Sequence, residues 1–216
     1  MSITDFLSAF EENEFMPMCF ERIRPKGYQK AFDREQIAFY DFWSQIEIKE
    51  DAELQHRIKE YNRLFGMYFA PNRLEEGLTK AENVTKFNAF FCESDDLSIS
   101  QQHAQLNAFA LQPSIRVETS KSVHAYWLID GMCEKEEWFD VQCRLIKFFK
   151  ADDKIKNANR VMRIPFLNHV SIVGGEYRYK RVELVEFDKN VRYTAAELQE
   201  LLPAVPKPKV INYELP

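Results

Sequence analysis

An α+β domain built on an antiparallel sheet is predicted by three stretches of this 216-residue chain. Phe87–Cys92 is a short apolar run that closes on Glu93, Asp95 and Asp96. Ile115–Glu118 and Val123–Leu128 read as two strands joined by the polar turn 119–122, and Glu134–Lys150 carries Trp138, Val141, Leu145, Phe148 and Phe149 at helical spacing. With 45% hydrophobic residues and 18 Phe, the chain can bury one substantial core.

In chain order, Ile3–Phe10 reads as an opening helix, Met18–Ile23 as a short strand and Lys26-Gly27 as a turn. Amphipathic spacing predicts helices over about Arg34–Gln45 and Ala52–Arg63, then a strand near Phe65–Phe69 and a loop at Ala70–Arg73. Ser100–Leu111 reads as a helix between the acidic strand and the hairpin. From Phe87 onward the order strand, helix, strand, strand, helix, strand suits an RRM-like sheet, which the strand-rich stretch Arg178–Phe187 would extend. Thr194 with Glu197 makes a capping-box start for a last helix, and Pro203, Pro206 and Pro208 make an extended tail. The expected organisation is a single domain over 1–200, with an N-terminal α/β unit of about 1–85 and an RRM-like unit of about 86–190, followed by a Pro-rich tail or linker at 201–216.

The chemistry starts with the carboxylates. Residues two apart on a strand share a face, so Glu93 and Asp95 are expected side by side with Ser94 turned away. Such a pair grips hard cations of the Mg or Mn kind, and a third carboxylate completes a two-metal cage. Acid-x-acid is a weak signal in a chain with 34 acids; its place after Phe87, Phe90 and Phe91 raises it, because charge held near a core is costly without a partner.

On the hairpin, Ser122 and His124 are expected on one face beside Tyr126, where a hydroxyl and an imidazole can bind phosphate oxygens and Lys121 adds a point charge. Ser122 lacks the G-x-S-x-G elbow of a hydrolase nucleophile. Further on, Asp152 and Asp153 precede Arg160 and Arg163, and arginine binds phosphates bidentately without losing its charge.

The ordered set of Glu93-x-Asp95, Ser122-x-His124, VHAYWLID and ADDKIKNANRVMRIP resembles the archaeo-eukaryotic primase superfamily, in the primase-polymerase branch found in plasmids, phages and CRISPR-associated proteins. The resemblance covers about Phe87–His169, with a loose match upstream through Gly66–Phe69 and Asn72. It implies a DNA primase-polymerase: template-directed transfer of nucleotides from NTP or dNTP to a 3′ hydroxyl on single-stranded DNA by two Mg2+ or Mn2+ ions, with de novo primer synthesis within its scope. By the same resemblance, Glu93, Asp95 and Asp152 are metal ligands, and Asp152 is chosen over Asp153 on the match alone. Ser122, His124, Lys121, Arg160 and Arg163 would hold the nucleotide, with His124 counted among the catalytic residues. Many relatives read R-hydrophobic-P-G where this chain has Phe166 in place of the glycine, and carry a lysine soon after; Lys121, Arg178 and Lys180 are the candidates for that charge. A helicase or CRISPR-related domain is expected outside this chain.

A net charge of −5 argues against indiscriminate duplex binding but leaves room for a local basic groove, from Lys147 to Arg163 or over Arg178, Lys180 and Arg181. Cys19, Cys92, Cys133 and Cys143 show no CxxC pairing, which reads as a reduced cytoplasmic protein without a zinc site. No apolar run is long enough to span a membrane. Two other classes fit the same residues. One is an RRM-like single-strand-binding module without catalysis, weakened by the lack of an RNP-type aromatic pattern. The other is a metal-dependent nuclease using the same carboxylates.

Overall fold

The computed structural model describes residues 1–28, 39–94 and 96–205. Side-chain caps start most of its helices, satisfying first-turn N–H groups that have no partner within the helix. Ser2 and Asp5 form a capping box at α1 (Ile3–Leu7). Then come β1 (Met18–Ile23), β2 (Phe39–Trp43), α2 (Gln45–Glu50), with its own Ser44/Glu47 box, and α3 (Ala52–Leu64), capped by Asp51. β3 (Gly66–Phe69), the short β4 (Arg73–Leu74) and β5 (Val84–Lys86), and β6 (Ala89–Cys92) follow. α4 (Ile99–Ala108) precedes the hairpin β7 (Ile115–Glu118) and β8 (Val123–Ile129), and α5 (Lys135–Phe149) follows it. The chain closes with β9 (Met162–Arg163), β10 (Asn168–Val173), β11 (Glu176–Arg181), β12 (Glu183–Phe187), β13 (Arg192–Tyr193) and α6 (Ala195–Leu201), the last capped by Thr194 and Glu197.

Two sheets share one core. A four-stranded antiparallel sheet runs β2-β1-β3-β9, and a five-stranded sheet runs β12-β7-β8, with β6 antiparallel on the other edge of β8 and β13 parallel to the end of β8. All seven residues of β8 and all four of β6 are buried. Tyr126 of β8 meets Phe10 edge-on and lies 6.4 Å from Phe69, while Trp127 packs against Phe109 and Phe149. β8 is thus covered on both faces, as its unbroken apolar run VHAYWLI requires. The remaining edge of β6 is closed by α5: buried Gln142 accepts from Phe91 N at 3.2 Å and donates to Phe91 O at 2.6 Å, taking the place of a neighbouring strand. The same amide donates to Ile155 O at 3.1 Å, tying the strand to the loop after α5.

Several expectations need correction. Phe39–Trp43 is a strand, not part of an Arg34–Gln45 helix; the helix starts at Gln45, and residues 34–38 lie outside the described residues. Aromatic residues four apart share a face in a strand as well as in a helix, and pairing with β1 decides between the two. The strand after α5 does not return to the RRM-like sheet: β9 pairs with β3 in the other sheet, and β12 completes the first by pairing with β7. Of the Arg178–Phe187 stretch, only β12 extends that sheet; β11 pairs with β10 as a separate ribbon. Pro206 and Pro208 lie outside the described residues.

Candidate active site

The acidic strand ends sooner than expected, before either acid of the pair. Cys92 is the last residue of β6 in the ladder, opposite Ala125, so Glu93 follows the strand rather than alternating within it. Asp95, expected on the same face, lies outside the described residues. Glu93 Oε2 lies 3.0 Å from His124 Nε2, and Glu93 Oε1 lies 3.5 Å from Arg160 Nη2. The Glu93 side chain is 13% exposed and that of His124 3%. Burial works against the Glu93 charge, but the His124 ring and the Arg160 guanidinium outweigh it and hold the carboxyl at about 2.

Asp152 is brought alongside. Its backbone N–H donates to Glu93 O at 3.0 Å, while its carboxylate caps the short helical turn that follows by accepting from Lys154 N at 3.0 Å. Asp153 is exposed and paired loosely with Lys156 at 3.9 Å. Lys121 is exposed on the hairpin turn. Ser122 is buried beneath it, its Oγ 3.3 Å from Thr119 Oγ1.

The four-stranded sheet supplies a second wall through its register. Tyr40 of β2 pairs with Glu21 of β1, Glu21 with Tyr68 of β3, and Tyr68 with Arg163 of β9, so four polar side chains form one row across the sheet. Burial raises the Glu21 carboxyl above its usual range, opposed by the Tyr40 hydroxyl and the Arg160 charge. Burial also raises the Tyr68 hydroxyl, on which Arg163, Glu21, Glu93 and Arg160 all act. The Arg163 guanidinium lies over the Tyr68 ring at 4.7 Å. A Cβ added at Gly66 would meet Arg163 Nη1 at 2.9 Å, so the bare backbone there leaves room for the cation.

Arg163 Nη2 lies 3.1 Å from His169 Nε2, and His169 Nδ1 lies 2.5 Å from Ser120 Oγ. Because a guanidinium only donates, Nε2 accepts and the proton sits on Nδ1, facing Ser120. Burial, followed by the charges of Arg163, Lys121, His124 and Lys180, pulls the His169 pKa down to about 4, so the ring is neutral near pH 7.

The structure therefore gathers Glu93, His124, Asp152, Arg160 and Arg163 where the two sheets meet. Sequence reasoning missed Glu21 and Tyr40, which strand register brings there from distant parts of the chain, and His169, which lies six residues after Arg163 and turns back onto it. Asn72, matched only loosely, braces the site from behind: its amide donates to Ala158 O at 3.0 Å and accepts from Asn88 N at 3.0 Å.

Three buried polar atoms around Glu93 meet no hydrogen-bond partner among the described residues: His124 Nδ1, Tyr126 OH and Arg160 Nε. Unpaired polar atoms beside an ionised carboxylate mark a place for a polar ligand. Glu93 and Asp152 offer the hard oxygen donors that Mg2+ or Mn2+ prefers, which fits a divalent ion here. No group of three such ligands forms among the described residues. A groove of about 1110 Å³ between α5 and α6, lined by Phe139, Arg144 and Lys147, includes none of the residues gathered here.

The fold has known counterparts. The AEP domain of the primase-polymerase of cyanophage S-2L superposes with a TM-score of 0.70 at 22% identity, over 93% of this chain and 96% of that one. The primase RepB′ matches with a TM-score of 0.59 at 16% identity, over 93% of this chain and 62% of that one. The catalytic domain of RepB′ in complex with initiator DNA gives 0.59 at 17% identity, over 92% and 93%. No protein-family model and no curated protein matches the chain. The chain therefore shares the α+β fold of these primase and primase-polymerase domains.

Proposed function

We propose that this chain is a DNA primase-polymerase that transfers nucleotides from NTP or dNTP to a 3′ hydroxyl on a single-stranded DNA template. The observation that carries the reading is the convergence at Glu93: a strand-end carboxylate held ionised by His124 and Arg160, one backbone hydrogen bond from Asp152. A second wall of Tyr68, Arg163 and His169 faces it. In the reaction the 3′ oxygen bonds to the α-phosphorus, the bond to the β-phosphate oxygen breaks, and pyrophosphate leaves. No side-chain nucleophile is needed, so the protein's work is positioning and charge.

Glu93 and Asp152, with Asp95, would hold Mg2+ or Mn2+, which supplies charge neutralisation and a more acidic 3′ hydroxyl when bound. Arg160 and Arg163 would bind the triphosphate, with His124 beside them and Lys121 at the rim. With its Oγ turned to Thr119, Ser122 contributes through the shape of the turn that delivers Lys121 and His124. A catalytically silent strand-binding module would not require an ionised buried carboxylate between an imidazole and a guanidinium, and that pairing favours the enzyme.

The test is incubation with single-stranded DNA, labelled NTP or dNTP and Mg2+ or Mn2+, with and without a primer. The wild type is expected to extend a primer, and synthesis without one would make it a primase. Glu93→Gln is expected to lower incorporation at least ~100-fold. Undiminished incorporation by Glu93→Gln defeats the reading, and release of nucleotides from DNA with no triphosphate present turns it into a nuclease.

A further inference from the structure

We infer that the ribbon strand β11, reading Glu-Tyr-Arg-Tyr-Lys-Arg, is a track on which single-stranded DNA lies as it enters or leaves the site. The inference rests on the proposed polymerase reading for its direction but on separate residues for its evidence. β11 is paired on one side only, to β10, so its other edge is free among the described residues. Five of its six residues are exposed. The ribbon turns through Gly174 and Gly175, both at positive φ, the tight two-residue loop that only such residues make without strain.

The two faces of the ribbon differ. On one, register places Lys180 opposite His169 and Arg178 opposite Ser171. His169 touches Arg163 and Ser120, and Lys180 Nζ lies 3.5 Å from Thr119 O, so this face continues directly from the candidate site. Arg178 extends it outward by one alternation and is held at the tip by Glu176 at 2.6 Å. Lys121 adds a further exposed cation at the inner end. On the other face, Tyr177 and Tyr179 hold their rings within 13° of parallel, with centroids 6.4 Å apart. Tyr179 is 52% exposed, and its hydroxyl donates to Arg63 O at 3.0 Å, which fixes the ring.

Edge strands carry lysines to deter pairing with other sheets, which accounts for the charge alone. It does not account for a fixed pair of parallel tyrosines alternating with the cations. A strand laid along the free edge of β11 would meet the cations with its backbone on one side and the tyrosine rings with its bases on the other, the two parts of a sequence-tolerant single-strand site. In a chain of net charge −5, the strip is also a local departure from the surface as a whole, complementary to a polyanion.

The experiment measures binding of a fluorescein-labelled single-stranded 20-mer DNA to the full chain by anisotropy, in EDTA and without triphosphate, over a series of salt concentrations. Arg178→Gln with Lys180→Gln is expected to weaken binding ~10-fold and to reduce the log–log salt slope by ~1.4, two phosphate contacts at ~0.7 each. Tyr177→Ser with Tyr179→Ser is expected to weaken binding by at least ~5-fold. Arg178→Lys with Lys180→Arg, which keeps the charges, is expected to bind as the wild type does, and melting temperatures check that each variant folds. Unchanged affinity and slope in the Gln pair overturn the track, as does tighter binding of a duplex than of the single strand. Glu93→Gln separates the two readings. If it loses incorporation while strand binding stays dependent on Arg178 and Lys180, both stand; if the wild type polymerises but the Gln pair binds DNA normally, the track alone falls; if the wild type binds through the track without incorporating nucleotides, the polymerase reading alone falls.

Discussion

The two walls of the site are built in opposite ways. On the side of the five-stranded sheet, Glu93 and His124 hang from β6 and β8, strands buried along their whole length, and their chemistry is set locally: an acid just past an apolar strand, a histidine inside one. On the side of the four-stranded sheet, Tyr40, Glu21, Tyr68 and Arg163 come from four strands and meet only because the ladder aligns them. The first wall depends on the rigidity of one strand. The second depends on register, in which a slip of one residue would turn every member of the row away.

Breaking the anchor of the first wall is expected to give the largest loss of stability. Gln142 satisfies both backbone groups of Phe91 and the carbonyl of Ile155 from inside the core. Gln142→Leu keeps much of the volume and leaves those three groups unpaired, at a cost of about 3 kcal/mol. For a domain of this size that lowers the melting temperature by ~6–12 °C. An unchanged melting temperature would show that α5 does not hold the edge of β6, and that Glu93 owes its place to His124 and Arg160.

That contrast also explains what the sequence reveals. β8, α5 and the apolar run of β6 are legible because each is long or apolar enough for its own period to show, and Glu93, His124, Asp152 and Arg160 lie on or beside them. Of the row on the other sheet, only Arg163 is legible as a site residue. Glu21 sits in the expected strand Met18–Ile23 but nothing beside it marks the acid, and Tyr40 falls in a stretch whose Phe39 and Trp43, four apart, satisfy helix and strand alike. β9 has only two residues in the ladder, too few for a period, and its partner β3 lies far upstream. His169 carries no local signal at all, since its role comes from the three-dimensional neighbourhood of Arg163 and Ser120.

His169 bonds Arg163 of the second wall on one side and Ser120 of the hairpin turn on the other, and its titration is expected to give the next largest effect. The ring is held neutral in the fold, with its pKa lowered from 6.5 to about 4. Its stabilising neutral state is fully present above pH 6.5 and is lost as pH falls towards 4, because the unfolded chain takes up the proton first. The wild type should therefore lose about 2 kcal/mol more than His169→Gln between pH 7 and pH 4, a figure reduced for the partial exposure of the ring. Urea unfolding across that range reads it. Parallel pH curves for the two proteins would mean that His169 is not confined between Arg163 and Ser120.

The smallest effect lies just beyond Arg163. Phe166 has φ 70, in the left-handed region that suits glycine, and its N–H donates to Val182 O at 2.9 Å. An aromatic residue there is held by packing against the shared core, on which its half-buried ring rests. Alanine would lose the ring and keep the strain, whereas glycine would lose the ring and relieve it. Phe166→Gly is thus expected to be more stable than Phe166→Ala by about 1 kcal/mol, even though it removes more of the side chain. Equal stability of the two variants would mean that the turn relaxes once the ring is gone. In that case the ring itself imposes the left-handed conformation that carries the chain from Arg163 to His169.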